Sequence, residues 1–150
     1  MPNTPAMVGR GISGLCGNEK TSATQLALAE ELMSAVGEVV RLEGEHQIDA
    51  VTGLSGSGPA YVFHLIEALA KAGEAVGLAP EVSLKLARAT VTGSGELAYQ
   101  SPESAEQLRI NVTSPGGTTA AGLAVLMPEL TDLVTRTVEA ATKRGQELGR

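Results

Sequence analysis

The sequence predicts a mostly α-helical protein in which a short β-α-β segment leads into an all-helical remainder. Three observations carry that prediction. Short apolar strand signals flank one amphipathic helix before Gly44, and after it apolar residues recur at helical spacing almost without interruption. The apolar residues are overwhelmingly Leu, Val, Ile and Ala, with Tyr61, Tyr99 and Phe63 the only aromatics, a mixture that favours closely packed helices. Ser/Thr and Pro stand where helices begin, and Gly where they end.

In chain order, residues 1–6 form a Pro-bracketed turn, Met1-Pro2-Asn3-Thr4-Pro5-Ala6. Residues 7–16 are Gly-rich with Val8, Ile12 and Leu15 apolar, and are expected to be a strand. Thr21 or Ser22 can cap a helix over about 23–36, with Leu26, Ala29, Met33 and Val36 inward, ended by Gly37. Val39 to Leu42 is then a second strand. Ser57-Gly58-Pro59 should open a helix to about Ala75, with Val62, Leu65, Ile66, Leu69 and Ala72 on one face and Phe63 and Ala70 elsewhere. So apolar a circumference implies deep burial or a subunit contact. Pro80 opens the next helix, with Leu84, Ala87 and Val91 in a stripe. Ser101-Pro102-Glu103 opens a short one. Thr113 to Gly117 is a sharp turn, followed by a helix to Leu126. Pro128 is expected to start the last helix, with Leu130, Leu133, Val134, Val138 and Ala141 inward and Lys143 and Arg144 near its negative end.

Composition narrows the function. The length of 150 residues allows one domain with its own core. A net charge of −6 disfavours nucleic acid as a partner, since phosphate binding needs a basic face. Cys16 is the only cysteine, so neither an intrachain disulfide nor a thiolate metal cluster can form, and a reducing, cytoplasmic setting is the natural reading. Cys16 itself reads as a small buried hydrophobe. No apolar run is long enough for a membrane span, and the N-terminus has no signal-peptide character. His46 and His64 lie near no Cys/His cluster and read as structural or exposed. Glu67 and Lys71 have the favourable i, i+4 order for a helix-surface pair.

Gly9-Arg10-Gly11-Ile12-Ser13-Gly14 matches the dinucleotide pattern G-x-G-x-x-G letter for letter. Too few residues precede Gly9 for a buried strand, and no apolar helical stripe follows Gly14, so it reads as a chance match within a strand. Two other stretches can carry chemistry. In Leu54-Ser55-Gly56-Ser57-Gly58-Pro59-Ala60-Tyr61, two glycines permit close approach to a ligand, while Ser55 or Ser57 can equally just cap the helix. In Asn111-Val112-Thr113-Ser114-Pro115-Gly116-Gly117-Thr118-Thr119, the N–H groups of Gly117, Thr118 and Thr119 are expected to point outward together among the hydroxyls of Ser114, Thr118 and Thr119. That arrangement binds a carboxylate or phosphate, although capping alone also uses Ser and Thr there. Three or four charge-assisted hydrogen bonds at about 1.5–3 kcal/mol each would hold a small acid at roughly micromolar to millimolar strength once ordering costs are subtracted.

Met1-Pro2-Asn3-Thr4-Pro5-Ala6, Ser55-Gly56-Ser57-Gly58-Pro59-Ala60-Tyr61 and Thr113-Ser114-Pro115-Gly116-Gly117-Thr118-Thr119, in this order and spacing, resemble the pyrroline-5-carboxylate reductase family; Leu108 to Val112 and Ala121 to Leu126 resemble it too. The resemblance covers essentially the whole chain. It implies that residues 1–44 are the C-terminal remnant of a Rossmann domain and 45–150 an all-helical dimerisation and substrate-binding domain, working as a homodimer or higher homo-oligomer. The implied reaction is reduction of the C=N bond of 1-pyrroline-5-carboxylate to L-proline by NADPH or NADH. Carried over by position, Ser114, Gly116, Gly117 and Thr118 match the loop that holds the substrate carboxylate, and Asn111 helps shape that pocket. Thr119 matches the residue whose hydroxyl faces the imine nitrogen and is the implied catalytic position. Asn3 and Pro5 match a turn near the nicotinamide, and Ser55 and Ser57 a turn near the cofactor and the dimer core. The family's glycine fingerprint, first βαβ units and ribose-binding residues have no counterpart here. The chain alone is therefore expected to bind nicotinamide nucleotide weakly and to have little reductase activity. The alternative is a non-catalytic helical dimer that binds a small carboxylate such as proline. A dehydrogenase of β-hydroxyacids ranks last, because such enzymes use a lysine that no motif here offers.

Overall fold

A computed structural model describes residues 1–149. A 3-10 turn, Thr4–Val8, starts the chain and ends at Gly9, whose φ of 69° is left-handed. Strand β1, Gly11–Leu15, follows; helix α1, Ala23–Ser34, crosses over to strand β2, Gly37–Arg41. The strands are parallel, with Gly11 opposite Gly37 and Leu15 opposite Arg41, so the β-α-β reading holds. Met7 and Val8, expected in the strand, belong to the 3-10 turn. Pro5 has no N–H to give a sheet ladder and fixes the φ of a helical first turn instead.

Ser22 caps α1 in a complete capping box, its hydroxyl accepting from the Gln25 N–H while the Gln25 side chain accepts from the Ser22 N–H at 2.9 Å. Leu26, Ala29, Met33 and Val36 are half-buried and Leu28 and Leu32 exposed, as the spacing requires. Gly14 lets β1 lie close under the next element, since a methyl group there would press on Val51 Cγ1 at 2.9 Å.

From Ile48 the chain stays helical: α2, Ile48–Val51, passes into a π-helical turn, Thr52–Gly56, and then into α3, Gly58–Ala75. Helix α4 spans Pro80–Gln100 with Pro80 in its first turn, α5 spans Ala105–Asn111, and α6 spans Thr118–Leu148. Two expected boundaries moved. Ser104, not Ser101, caps α5, because its hydroxyl reaches the Gln107 N–H at 3.1 Å. Pro128 lies inside α6 rather than opening a new helix. It removes one hydrogen bond, whereas two separate helices would each expose four unpaired groups at the break.

The residues group into two units, one of Met1–Tyr61 with the chain from Val134 onward, the other Val62–Leu133. In the first unit Gly53 and Gly145 allow helices to touch backbone to backbone: a methyl at Gly53 would overlap Thr142 Oγ1 and Val138 O, and one at Gly145 would meet Asp49 Oδ1. In the second, α3 and α4 meet through Gly73 and Ser83.

The expected core is not there. Ala70 and Ala87 are the only buried hydrophobic residues among those described, and no large side chain is fully enclosed. The face of α3 packed within the chain is the one with Ala70, while Val62, Leu65 and Leu69 are 45%, 46% and 41% exposed. Small residues let α3 and α4 approach closely, which leaves the broad Leu/Val stripe outside their contact. Leu84, Leu130, Leu133 and Val134 are likewise exposed, against expectation; Val91, Val138 and Ala141 are half-buried. Glu67 pairs with His64 at 3.0 Å rather than with Lys71. No helix among the described residues is long and apolar enough to cross a membrane, and no group of His, Cys, Asp or Glu could hold a metal ion.

Candidate functional site

The loop between α5 and α6 is built by local chemistry. At the end of α5, Thr113 donates from its N–H to Ile110 O at 3.0 Å and from its hydroxyl to Arg109 O at 2.6 Å, closing the last turn. Pro115 and Gly116 then occupy the central positions of a turn, and Gly116 has the φ of 70° that a type II turn demands. The Gly117 N–H donates to Ser114 O at 3.0 Å and so is not free, contrary to expectation. Gly117 O accepts from the Ala121 N–H at 3.2 Å, which makes Gly117 the cap residue of α6. The outward-facing donors are therefore those of the first helical turn, Thr118 and Thr119, with Ala120 added to the set. They stand at the positive end of a helix of 31 residues.

The Ser114 hydroxyl lies against the Gly117 Cα, where any side chain would overlap it. Ser114, Gly116, Thr118 and Thr119 are all exposed. Neutral donors, hydroxyls and a helix terminus, open to solvent, can take a carboxylate. Asn111 is held differently: its Oδ1 accepts from Gln107 Nε2 at 2.8 Å, and its Nδ2 donates to Glu103 Oε2 at 2.9 Å. Its amide is tied along α5 by two residues that the sequence did not single out.

The other four candidates belong to the first unit. Asn3 Oδ1 accepts from the Ile12 N–H at 2.9 Å and its Nδ2 donates to Ser55 O at 3.2 Å. Pro5 lies in the same turn, its carbonyl accepting from the Arg10 N–H at 3.0 Å. The structure thus brings Asn3, Pro5 and Ser55 together. The stretch around Ser55 and Ser57 is not a loop, and Ser55 caps nothing, because its hydroxyl donates back to Val51 O at 3.1 Å. The Ser57 N–H reaches Thr52 O at 2.8 Å, five residues back, which is the π-helical bond. Tyr61 Oη donates to Gly53 O at 3.1 Å, a support that sequence reasoning missed. For the Asn3 bond to Ser55 O the signal available was Pro59, which cannot supply an N–H to the carbonyl four residues before it.

A nicotinamide dinucleotide needs a glycine turn between a strand and a helix for its pyrophosphate. Gly9 to Gly14 instead runs from the end of the 3-10 turn into β1, and no helix begins until Ala23. The described residues do not fit that group's cradle, and the letter-for-letter pattern is a chance match.

Residues 45–148 match the family model described as pyrroline-5-carboxylate reductase dimerisation. A pyrroline-5-carboxylate reductase of Synechocystis is 48% identical over 151 residues, covering 100% of this chain and 56% of that protein. One of Pseudomonas aeruginosa is 44% identical, covering 99% of the chain and 55% of that protein. Among solved structures, the reductase of Coxiella burnetii superposes with a TM-score of 0.92 at 44% identity, covering 99% of this chain and 55% of that one. The pyrroline carboxylate reductase of Plasmodium falciparum with NADP bound gives 0.84 at 36% identity, covering 100% and 62%. The chain thus spans little more than half the length of the curated relatives it matches.

Proposed function

This chain belongs to the pyrroline-5-carboxylate reductase family, and from that premise we propose that it holds the substrate for reduction of 1-pyrroline-5-carboxylate to L-proline. The observation that carries the reading is the open first turn of α6. The Thr118 and Thr119 amides, with the Ser114 hydroxyl nearby, face solvent behind a Pro-Gly-Gly bend.

The hydride would come from a nicotinamide nucleotide, NADPH or NADH, for which the described residues supply no cradle. This chain's part is to fix the acid. The Thr118 and Thr119 N–H groups and the Ser114 hydroxyl donate to the carboxylate, and Gly116 and Gly117 let the backbone come close enough to do so. The Thr119 hydroxyl faces the imine nitrogen. It is too weak an acid to be a general acid at neutral pH, so it orients the protonated imine by a hydrogen bond or through water. Orientation of the ring is itself a large share of catalysis for a hydride transfer. Asn111 shapes the pocket from the end of α5. In the same reading Asn3, Pro5, Ser55 and Ser57 lie towards the cofactor, residues 1–44 are the end of a dinucleotide-binding domain and 45–150 a dimerisation domain. The protein works in the cytoplasm as a homodimer or larger assembly, without nucleic acid or membrane as partner.

The test is a titration of L-proline into the isotope-labelled chain. The Thr118, Thr119 and Ala120 amides should shift together with a dissociation constant between about micromolar and millimolar. Shifts elsewhere, or none up to 50 mM, would refute the reading. Parallel titration with NADPH should show no micromolar binding to this chain.

A second reading, a helical dimer that binds a small carboxylate without catalysis, draws on the missing dinucleotide cradle. Reductase turnover of 1-pyrroline-5-carboxylate and NADPH once the chain is joined to a relative's dinucleotide-binding domain separates the two: turnover favours the first reading, and proline binding without turnover the second.

A further inference from the structure

The π-helical turn at Thr52–Gly56 leaves two carbonyls without their usual helical donors, and side chains take both. Gly53 O would ordinarily accept from the Ser57 N–H, but that group bonds to Thr52 O, and the Tyr61 hydroxyl takes its place. Ser55 O would ordinarily accept from residue 59, which is a proline and has no N–H. The donor that reaches it comes from fifty-two positions away, the carboxamide of Asn3. The other end of that carboxamide accepts from the Ile12 N–H in β1. One side chain therefore joins three elements: the start of the Thr4–Val8 turn, the strand and the π turn.

We infer that Asn3 is a positioning residue, a peg that seats the Met1–Ala6 turn on the π turn by supplying the hydrogen bond that Pro59 cannot. The inference deepens the proposed function, since it rests on that reading for the statement that this turn lies beside the nicotinamide. It assigns Asn3 a place behind the cofactor site rather than a direct contact with the cofactor. Each end of its amide already has a partner, and replacing it removes both at once.

The pairing with Pro59 makes the inference testable on this chain, because Asn3 and residue 59 should be energetically coupled through Ser55 O alone. Asn3→Ala leaves the Ile12 N–H and Ser55 O without partners, which should lower the folding equilibrium constant by about a hundredfold, roughly tenfold for each orphaned group. Pro59→Ala gives Ser55 O a backbone N–H in its own helix. In that background Asn3→Ala should lose only the Ile12 half, so its effect should shrink by about tenfold. Equal effects in the two backgrounds would overturn the inference, since a generally structural asparagine would lose stability whatever stands at position 59.

Asn3→Asp provides a check that needs no unfolding. A carboxylate keeps the acceptor for the Ile12 N–H and loses the donor to Ser55 O. Amide exchange should accelerate at Ser57 and Ala60 while Ile12 stays protected; uniform acceleration, or none, would refute the peg. Failure of proline to bind at Thr118 and Thr119 would sink the proposed function and leave this coupling untouched, so the two can fail separately.

Discussion

Dilution should unfold this protein. Its accessible surface is 10863 Å². A compact monomer of 15.3 kDa exposes about 7,100 Å². Even two separate compact bodies of half that mass would together expose only about 8,600 Å². The excess is therefore at least about 2,200 Å² per chain, much of it Leu, Val and Phe on α3, α4 and α6. With the usual apolar share, covering it is worth roughly 30 kcal/mol, more than the roughly 5–15 kcal/mol that separates a folded domain from its unfolded chain. A two-fold contact that covered it would bury about 4,400 Å² in total, in the obligate class. Folding and association should then be one event. Each tenfold dilution should cost about 1.4 kcal/mol per dimer, and the thermal midpoint should fall with it. Leu65, 46% exposed in the single chain, separates the cases. Leu65→Asp on a free surface should change stability by less than about 0.5 kcal/mol, whereas in a buried contact it should abolish the dimer. Sedimentation equilibrium with melts at several concentrations reads both. A folded 15.3 kDa monomer with a concentration-independent midpoint and a silent Leu65→Asp would refute the reasoning.

Other substitutions test local claims. Gly53→Ala should lower stability by about 1–3 kcal/mol, because the methyl would overlap Thr142 Oγ1 and Val138 O; a denaturant midpoint that stays put would contradict the close helix contact. Gly117→Ala should displace the Ser114 hydroxyl and weaken proline binding at least about tenfold, with a stability loss of about 1 kcal/mol because Ala is a poor cap residue for α6; amide-shift titration and a melt together check it. Ser22→Ala should cost about 1 kcal/mol by removing the capping box of α1, seen as faster exchange of the Gln25 amide.

What the sequence made legible follows the range of the forces involved. The Ser22 cap, the Pro80 start and the Pro-Gly-Gly bend depend on residues within one turn of each other, and the structure has all three where the pattern put them. Two misplaced boundaries are still local but depend on a comparison. Ser101 and Ser104 both offer a hydroxyl, and Ser104 wins because its own geometry reaches Gln107. Pro128 breaks a helix only when breaking costs less than continuing, and strong helix formers on both sides decide that. The free amide expected at Gly117 failed for a similar reason, as the bend that exposes Thr118 and Thr119 needs that N–H to close itself. The π turn was beyond reach, because its carbonyls are satisfied by Asn3 and Tyr61, and a sequence does not say which distant amide will arrive.

For α3 the sequence left deep burial and a subunit contact both open, and the structure removes burial within this chain. Helical periodicity marks Val62, Leu65 and Leu69 as one apolar face, but it carries no label for what would cover it. Within this chain Gly73 and Ser83 bring α4 against the narrow side of the helix, the arrangement with the smallest apolar return. A single domain under selection for its own stability would turn the broad side inward. Leaving it out would be reasonable if a second set of apolar helices supplied more area than α4 can, which is what the dilution and Leu65→Asp experiments test. The same exposed stripe that reads as an error for one chain is what a dimerisation domain must carry.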